Sequence, residues 1–262
     1  LVTDGQVRWD DGQTYFAARL DGFKLGGLVR YFDTNTYYRQ PVAVEKVAWR
    51  EPMVVSDFEF ARAHSPRPVK PVVTGPYTLA ALSQPGVYPS VEALTMDLAE
   101  ALNQEARALQ AAGATIIQFD EPAILRSKGD FALFRRAMGV LTAGLSVETA
   151  LYTYFGDILG LQGQYFDLPF GVFGLDFVQG RRNFEAVRHL PADRTLGFGI
   201  ADARNTRLET VEAIRASFER ISAWVDPDRV HLSPSAGLEF LPRETARAKI
   251  RRLAEAASVI SG

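Results

Sequence analysis

Residues 91–122, VEALTMDLAEALNQEARALQAAGATIIQFDEP, change their hydrophobic period part-way along. Val91, Leu94, Leu98, Ala101, Leu102, Ala106 and Leu109 recur every three or four positions, the period of an amphipathic helix over 91–112. Gly113 supplies the stop. The next six residues, ATIIQF (114–119), are rich in β-branched and aromatic side chains and read as a strand. That strand runs into two adjacent acids, Asp120 and Glu121. Pro122 then closes it, because proline has no N–H to give to a ladder.

The same alternation recurs on both sides. Strands are expected at 70–74, 148–155, 171–178, 195–201 and 229–233, each short and bounded by Gly, Pro or Asp. Several are apolar on both faces, as buried parallel strands are. Helices are expected at 57–64, opened by a Ser56/Glu59 capping box, and at 207–224, opened by Thr206/Glu209. A closing helix follows Pro242, with Ile250, Leu253 and Ala257 facing inward. Strands alternating with helices imply a parallel sheet with crossover helices. A further strand ending near Gly5 brings the count to seven. The fold expected is therefore α/β, a (β/α)8 TIM-type barrel whose first βα unit is missing from the chain, forming a single domain over 1–262. An open, doubly wound sheet is the alternative. No G-x-G-x-x-G follows a strand, since Gly22, Gly26 and Gly27 lack the spacing, so no dinucleotide site is expected.

Composition narrows the function. The 262 residues carry a net charge of −2, with 47% hydrophobic and 23% charged side chains. There is no basic field for nucleic acid. No apolar run approaches the ~20 residues that span a bilayer, and no signal peptide is evident. A cytoplasmic protein is expected, with neither nucleic acid nor membrane as partner. The absence of cysteine removes disulfides, thiol nucleophiles and thiolate metal sites. His64, His189 and His231 stand at no ligand spacing.

In a barrel, function gathers where strands end. Those ends carry Gly75, Asp120, Glu121, Asp176 and Asn205. Asp120 and Glu121 fit a general acid and base, ligands for a hard metal, or a clamp for an ammonium group. They equally fit a structural use, one carboxylate capping a loop and the other pairing with an arginine such as Arg204. Asp176, alone in an apolar strand, must find partners if buried. Tyr37, Tyr38, Tyr77 and Tyr154 could stack on a ring or simply pack.

Seven segments in order resemble the cobalamin-independent methionine synthases: RYFDTNTYYRQP (30–41), KPVVTGPYTL (70–79), IIQFDEPAI (116–124), LYTYFGD (151–157), GLDFVQG (174–180), GIADARNT (199–206) and LSPSAGLEFLP (232–242). The resemblance implies methyl transfer from a methyltetrahydrofolate polyglutamate to homocysteine, in methionine biosynthesis. That family has two related barrels, and its C-terminal one holds zinc through histidine, glutamate and two cysteines. Zinc keeps the substrate sulfur as thiolate near neutral pH. This sequence resembles the N-terminal copy, which lacks the metal. The resemblance puts the family's metal histidine and first cysteine on Leu151 and Thr153, its glutamate on Asp176 and its second cysteine on Ala236. No metal and no cofactor is therefore expected in this chain, although the family uses zinc. Asp120 matches the acid that grips the homocysteine ammonium. Asp120, Glu121, Gly75, Asp176 and Asn205 are the expected substrate-binding residues for a folate or amino-acid ligand. A separate zinc-bearing barrel is the expected partner. The alternative is a non-catalytic small-molecule-binding or scaffold barrel.

Overall fold

The computed structural model describes residues 1–4, 6 and 8–260. They form two compact units, Leu1–Ala150 and Leu151–Gly262.

The first unit opens with helix α1 (Gly12–Ala17), followed by strands β1 (Asp21–Arg30) and β2 (Tyr37–Ala48) and helix α2 (Val55–His64). Strand β3 (Val72–Thr74), helices α3 (Pro76–Ala81) and α4 (Val91–Ala111), strand β4 (Ile116–Asp120), helix α5 (Phe131–Leu141) and strand β5 (Glu148–Thr153) complete the run. β3 and β4 pair in parallel, with Thr74 opposite Asp120. α4 forms where the 3.6-residue period placed it. Ser90 Oγ accepts from Ala93 N at its start, and Gly113 takes φ +91° just past its end, a conformation costly for any side chain. Leu94, Leu98, Leu102, Ala106 and Leu109 are buried, as are Phe134, Met138 and Leu141 of α5, which packs against α4.

The second unit starts within β5 and continues through α6 (Gln162–Tyr165), β6 (Val172–Asp176), α7 (Asn183–Ala186), β7 (Thr195–Ala201), α8 (Val211–Glu219), β8 (Val230–Pro234) and α9 (Arg243–Ile260). β7 pairs in parallel with both β6 and β8. Phe177, Phe184 and Phe198 meet edge to face over this sheet, the arrangement ring quadrupoles favour. Ala201, Ile214, Leu253 and Ala256 form the seam under α8 and α9. Strands β3 to β8 follow one another in chain order in a six-stranded sheet. The architecture is α/β, and all six strands fall on or within a residue of the expected segments. Among the described residues no helix is long and apolar enough to cross a membrane.

The structure corrects several local expectations. β1 and β2 form an antiparallel ribbon that the glycines at 22, 26 and 27 conceal, since they interrupt the two-residue period. α8 begins at Val211 behind Thr210, whose side chain accepts from Ala213 N, so Thr206 is not the cap. α2 begins at Val55, which places Ser56 inside the helix rather than ahead of it. Ile250 is 54% exposed, whereas Leu253 is buried as expected and Ala256 stands inward where Ala257 was placed. Val2 bridges in parallel to Val69, with Lys70 N donating to Val2 O. Gly5, expected at the turn after it, lies outside the described residues.

Candidate functional site

In the first unit, β4 delivers Asp120 half-buried at its last position and Glu121 fully buried one residue later. Glu121 sits under the start of α3. Its Oε1 accepts from Tyr77 N at 2.9 Å, and its Oε2 accepts from Thr78 N at 2.7 Å and from Thr78 Oγ1 at 2.6 Å. Free N–H groups and a positive dipole end make a helix N-terminus a natural seat for a carboxylate. Gly75 is the N-cap, and a Cβ there would collide with the Glu121 carboxylate. Burial pushes the Glu121 carboxyl up to about 8, against the pull of Thr78 and Tyr77. Gly75 and Glu121 are thus joined as a helix cap. Both Glu121 oxygens are engaged by the chain. At the strand end Gln118 Nε2 donates to Asp120 Oδ1 at 2.7 Å.

Asp176 ends β6 with its side chain fully buried. Its Oδ1 accepts from Val178 N at 2.8 Å and Gln179 N at 2.9 Å, and its Oδ2 from Phe155 N at 3.0 Å. Burial raises its pKa, opposed by these same N–H groups. Phe155 adopts φ +67°, a strained conformation that this bond helps hold. Asn183 completes the clasp: its Nδ2 donates to Asp176 O at 2.7 Å, and its Oδ1 accepts from Ile158 N at 3.0 Å. Asp176 therefore ties the loop after β5 to the loop after β6. Asn205, in the exposed loop after β7, caps its own turn by accepting from Arg207 N at 2.8 Å. Gly75, Asp120 and Glu121 lie together in the first unit, while Asp176 and Asn205 belong to the second.

The donor set does not fit a zinc–thiolate centre. Leu151 and Ala236 have no donor atom in their side chains, and Asp176 has both oxygens engaged. Thr153 Oγ1 lies 3.1 Å from the Tyr165 hydroxyl on α6, so Leu151 and Thr153 face the helix layer. Strand alternation turns Tyr152 and Tyr154 to the opposite face. Among the described residues no group of three or more His, Cys, Asp or Glu side chains is placed to hold a metal ion.

Three polar residues escaped the sequence reading. Asn183 is one. Glu105 accepts from Met53 N, Val54 N and Trp49 Nε1 just ahead of α2. Lys249 is fully buried on α9, and its Nζ donates to Arg207 O at 2.6 Å and to both Glu209 oxygens at 2.9 Å. Glu105 and Lys249 had a signal: each is a charge on a helix face otherwise apolar, next to Leu102 and Leu109 or to Leu253. Tyr77 gives its hydroxyl proton to Asp130 and Tyr38 to Leu82 O, so both are packing tyrosines with satisfied tips.

The family model described as "Cobalamin-independent synthase, Catalytic domain" matches residues 1–259. The methionine synthase of Saccharolobus solfataricus is 35% identical over 99% of this chain and 79% of its own length. That of Pyrococcus furiosus is 33% identical over 97% of this chain and 75% of its length. In structure, a B12-independent methionine synthase from Shewanella sp. W3-18-1, in complex with selenomethionine, superposes with a TM-score of 0.91 at 23% identity, covering 100% of this chain and 82% of that one. A methyltransferase from Methanosarcina mazei follows at 0.68 and 16%, covering 92% and 77%. Such coverage of sequence and fold leaves no doubt of kinship: the chain belongs to the cobalamin-independent methionine synthase family.

Proposed function

We propose that this chain serves methyl transfer to homocysteine in methionine biosynthesis as a zinc-free form of the family barrel, working in the cytoplasm with a separate zinc-bearing barrel. The observation that carries the reading is the donor set. The kinship is to the catalytic domain, yet the positions matched to the metal ligands hold Leu151, Thr153 and Ala236, and Asp176 is engaged by backbone N–H groups. We also take the six-stranded sheet to belong to a (β/α)8 TIM-type barrel, a reading supported by the Shewanella structure.

The ligand we assign is a small amino acid or a folate. Asp120 is the binding residue: a carboxylate at a strand end, steadied by Gln118, suits an ammonium group. A thiol needs a metal or a base to react as thiolate near neutral pH, a part we assign to the zinc-bearing barrel.

Two measurements test the proposal. Calorimetric titration with homocysteine and with methyltetrahydrofolate is expected to show binding of one or both. Asp120→Asn is expected to weaken amino-acid binding about 10-fold or more while leaving the fold intact, the scale of one hydrogen bond to a charged group. Co-expression with a catalytic barrel of the family is expected to give a complex and raise turnover. Absence of both ligand binding and complex formation would remove the proposal. A second reading, a non-catalytic binding or scaffold barrel, is favoured by the capture of Glu121 and Asp176 for loop and helix ends. Ligand binding with turnover at background, even beside the catalytic barrel, would establish it.

A further inference from the structure

Two buried side chains beside Asp120 carry polar atoms that the chain leaves unengaged. Thr74 ends β3 and is only 7% exposed, yet its hydroxyl has no hydrogen-bond partner among the described residues. Gln118 on β4 is 8% exposed. Its Nε2 is taken by Asp120 Oδ1, and its Oε1 has no partner among the described residues. Neither atom is sealed from water as Gln13 Oε1 is, so a ligand at the strand ends meets both.

The three groups share one place in the first unit. Thr74 and Asp120 are partners in the parallel β3–β4 register, so their side chains stand on the same face of strands about 4.8 Å apart. Gln118, two residues before Asp120, points to that face as well. A buried hydroxyl without a partner costs stability, and valine would fill the same space without the cost. The chain also gives up a side chain at position 12 to keep this hydroxyl in place. α1 packs against β3 so closely that a Cβ on Gly12 would come within 2.6 Å of Thr74 Oγ1, although glycine is a poor helix residue. A carboxylate and an amide oxygen accept only, and a hydroxyl can accept; an ammonium group has three N–H donors and no acceptor.

We propose that Thr74 Oγ1 and Gln118 Oε1 join Asp120 in an acceptor tripod that selects a primary ammonium group, so that the ligand of this site is an amino acid rather than a folate. The inference rests on Asp120 as the binding residue and adds the two side chains that set its specificity.

Calorimetric titration of the full chain with homocysteine and with N,N-dimethylhomocysteine tests this. Thr74→Val is expected to weaken homocysteine binding about tenfold, the scale of one hydrogen bond to a charged group. Its unfolding temperature is expected to equal or exceed that of the unaltered chain, because the hydroxyl it removes has no partner within the fold. Thr74→Ser keeps the hydroxyl and is expected to keep the affinity. Gln118→Met is expected to weaken binding at least as much as Thr74→Val. The dimethylated amine retains one N–H, which the carboxylate takes, so Thr74→Val is expected to leave its weaker binding unchanged. Homocysteine affinity unaltered in Thr74→Val or Gln118→Met, equal losses for the two amines in Thr74→Val, a lower unfolding temperature in that variant, or Thr74→Ser as weak as Thr74→Val would overturn the inference. In each of these cases a weakening by Asp120→Asn leaves Asp120 as the binding residue. No homocysteine binding by the unaltered chain, or binding that Asp120→Asn does not weaken, removes that assignment and the inference with it.

Discussion

Glu121 shows how strongly a buried carboxylate is governed by the peptide groups around it. Both oxygens are taken by Tyr77 and Thr78 at the head of α3. Glu121→Ala would leave Tyr77 N and Thr78 N at the head of α3 without their acceptor, and a loss of about 1–3 kcal/mol in a denaturant titration is expected. The pH dependence follows from burial, which raises the carboxyl from 4.5 to about 8. Between those values the folded chain keeps a proton that the unfolded chain releases. Stability contributed by Glu121 is complete below the lower value and falls as pH rises through the upper one, by at most about 1.4 kcal/mol per pH unit. Glu121→Gln is expected to flatten the stability profile across that window; an unchanged slope would refute the assignment. Its neighbour Asp120 is half-buried and accepts from the Gln118 side chain.

Elements test how far local pattern determines local structure. The spacing Thr206-x-x-Glu209 matches a capping box, yet Glu209 accepts instead from Asp202 N at 2.8 Å and from buried Lys249. With Glu209 held elsewhere, the chain stays non-helical until Thr210, which caps α8 through Ala213 N at 3.1 Å. Thr210→Ala is therefore expected to cost about 1 kcal/mol of stability, and Thr206→Ala a few tenths at most; thermal melts of the two variants decide between the caps. Strands β3 to β7 were legible because burial on both faces leaves a mostly apolar run between turn residues. α4 was legible because one face alone is buried. The β1–β2 ribbon was not: β1 is exposed along most of its length, so no two-residue alternation marks it. The clasp of Asp176 and Asn183 was half legible. A lone acid in an apolar strand announces that it has partners, but the sequence does not say that they are N–H groups of Phe155, Val178 and Gln179.

For the whole molecule, we propose that kinship and chemistry separate. The fold and the order of the motifs are those of the cobalamin-independent methionine synthases. The acids at strand ends Glu121 and Asp176 hold a helix start and loops, and the positions that the resemblance matches to metal ligands carry no thiolate donors. The most direct measurement is a zinc titration of the purified chain against a competing chromophoric chelator. The result expected is no tight site, and the same weak curve for Asp176→Asn. One equivalent of zinc held tightly, and released by Asp176→Asn, would contradict the account.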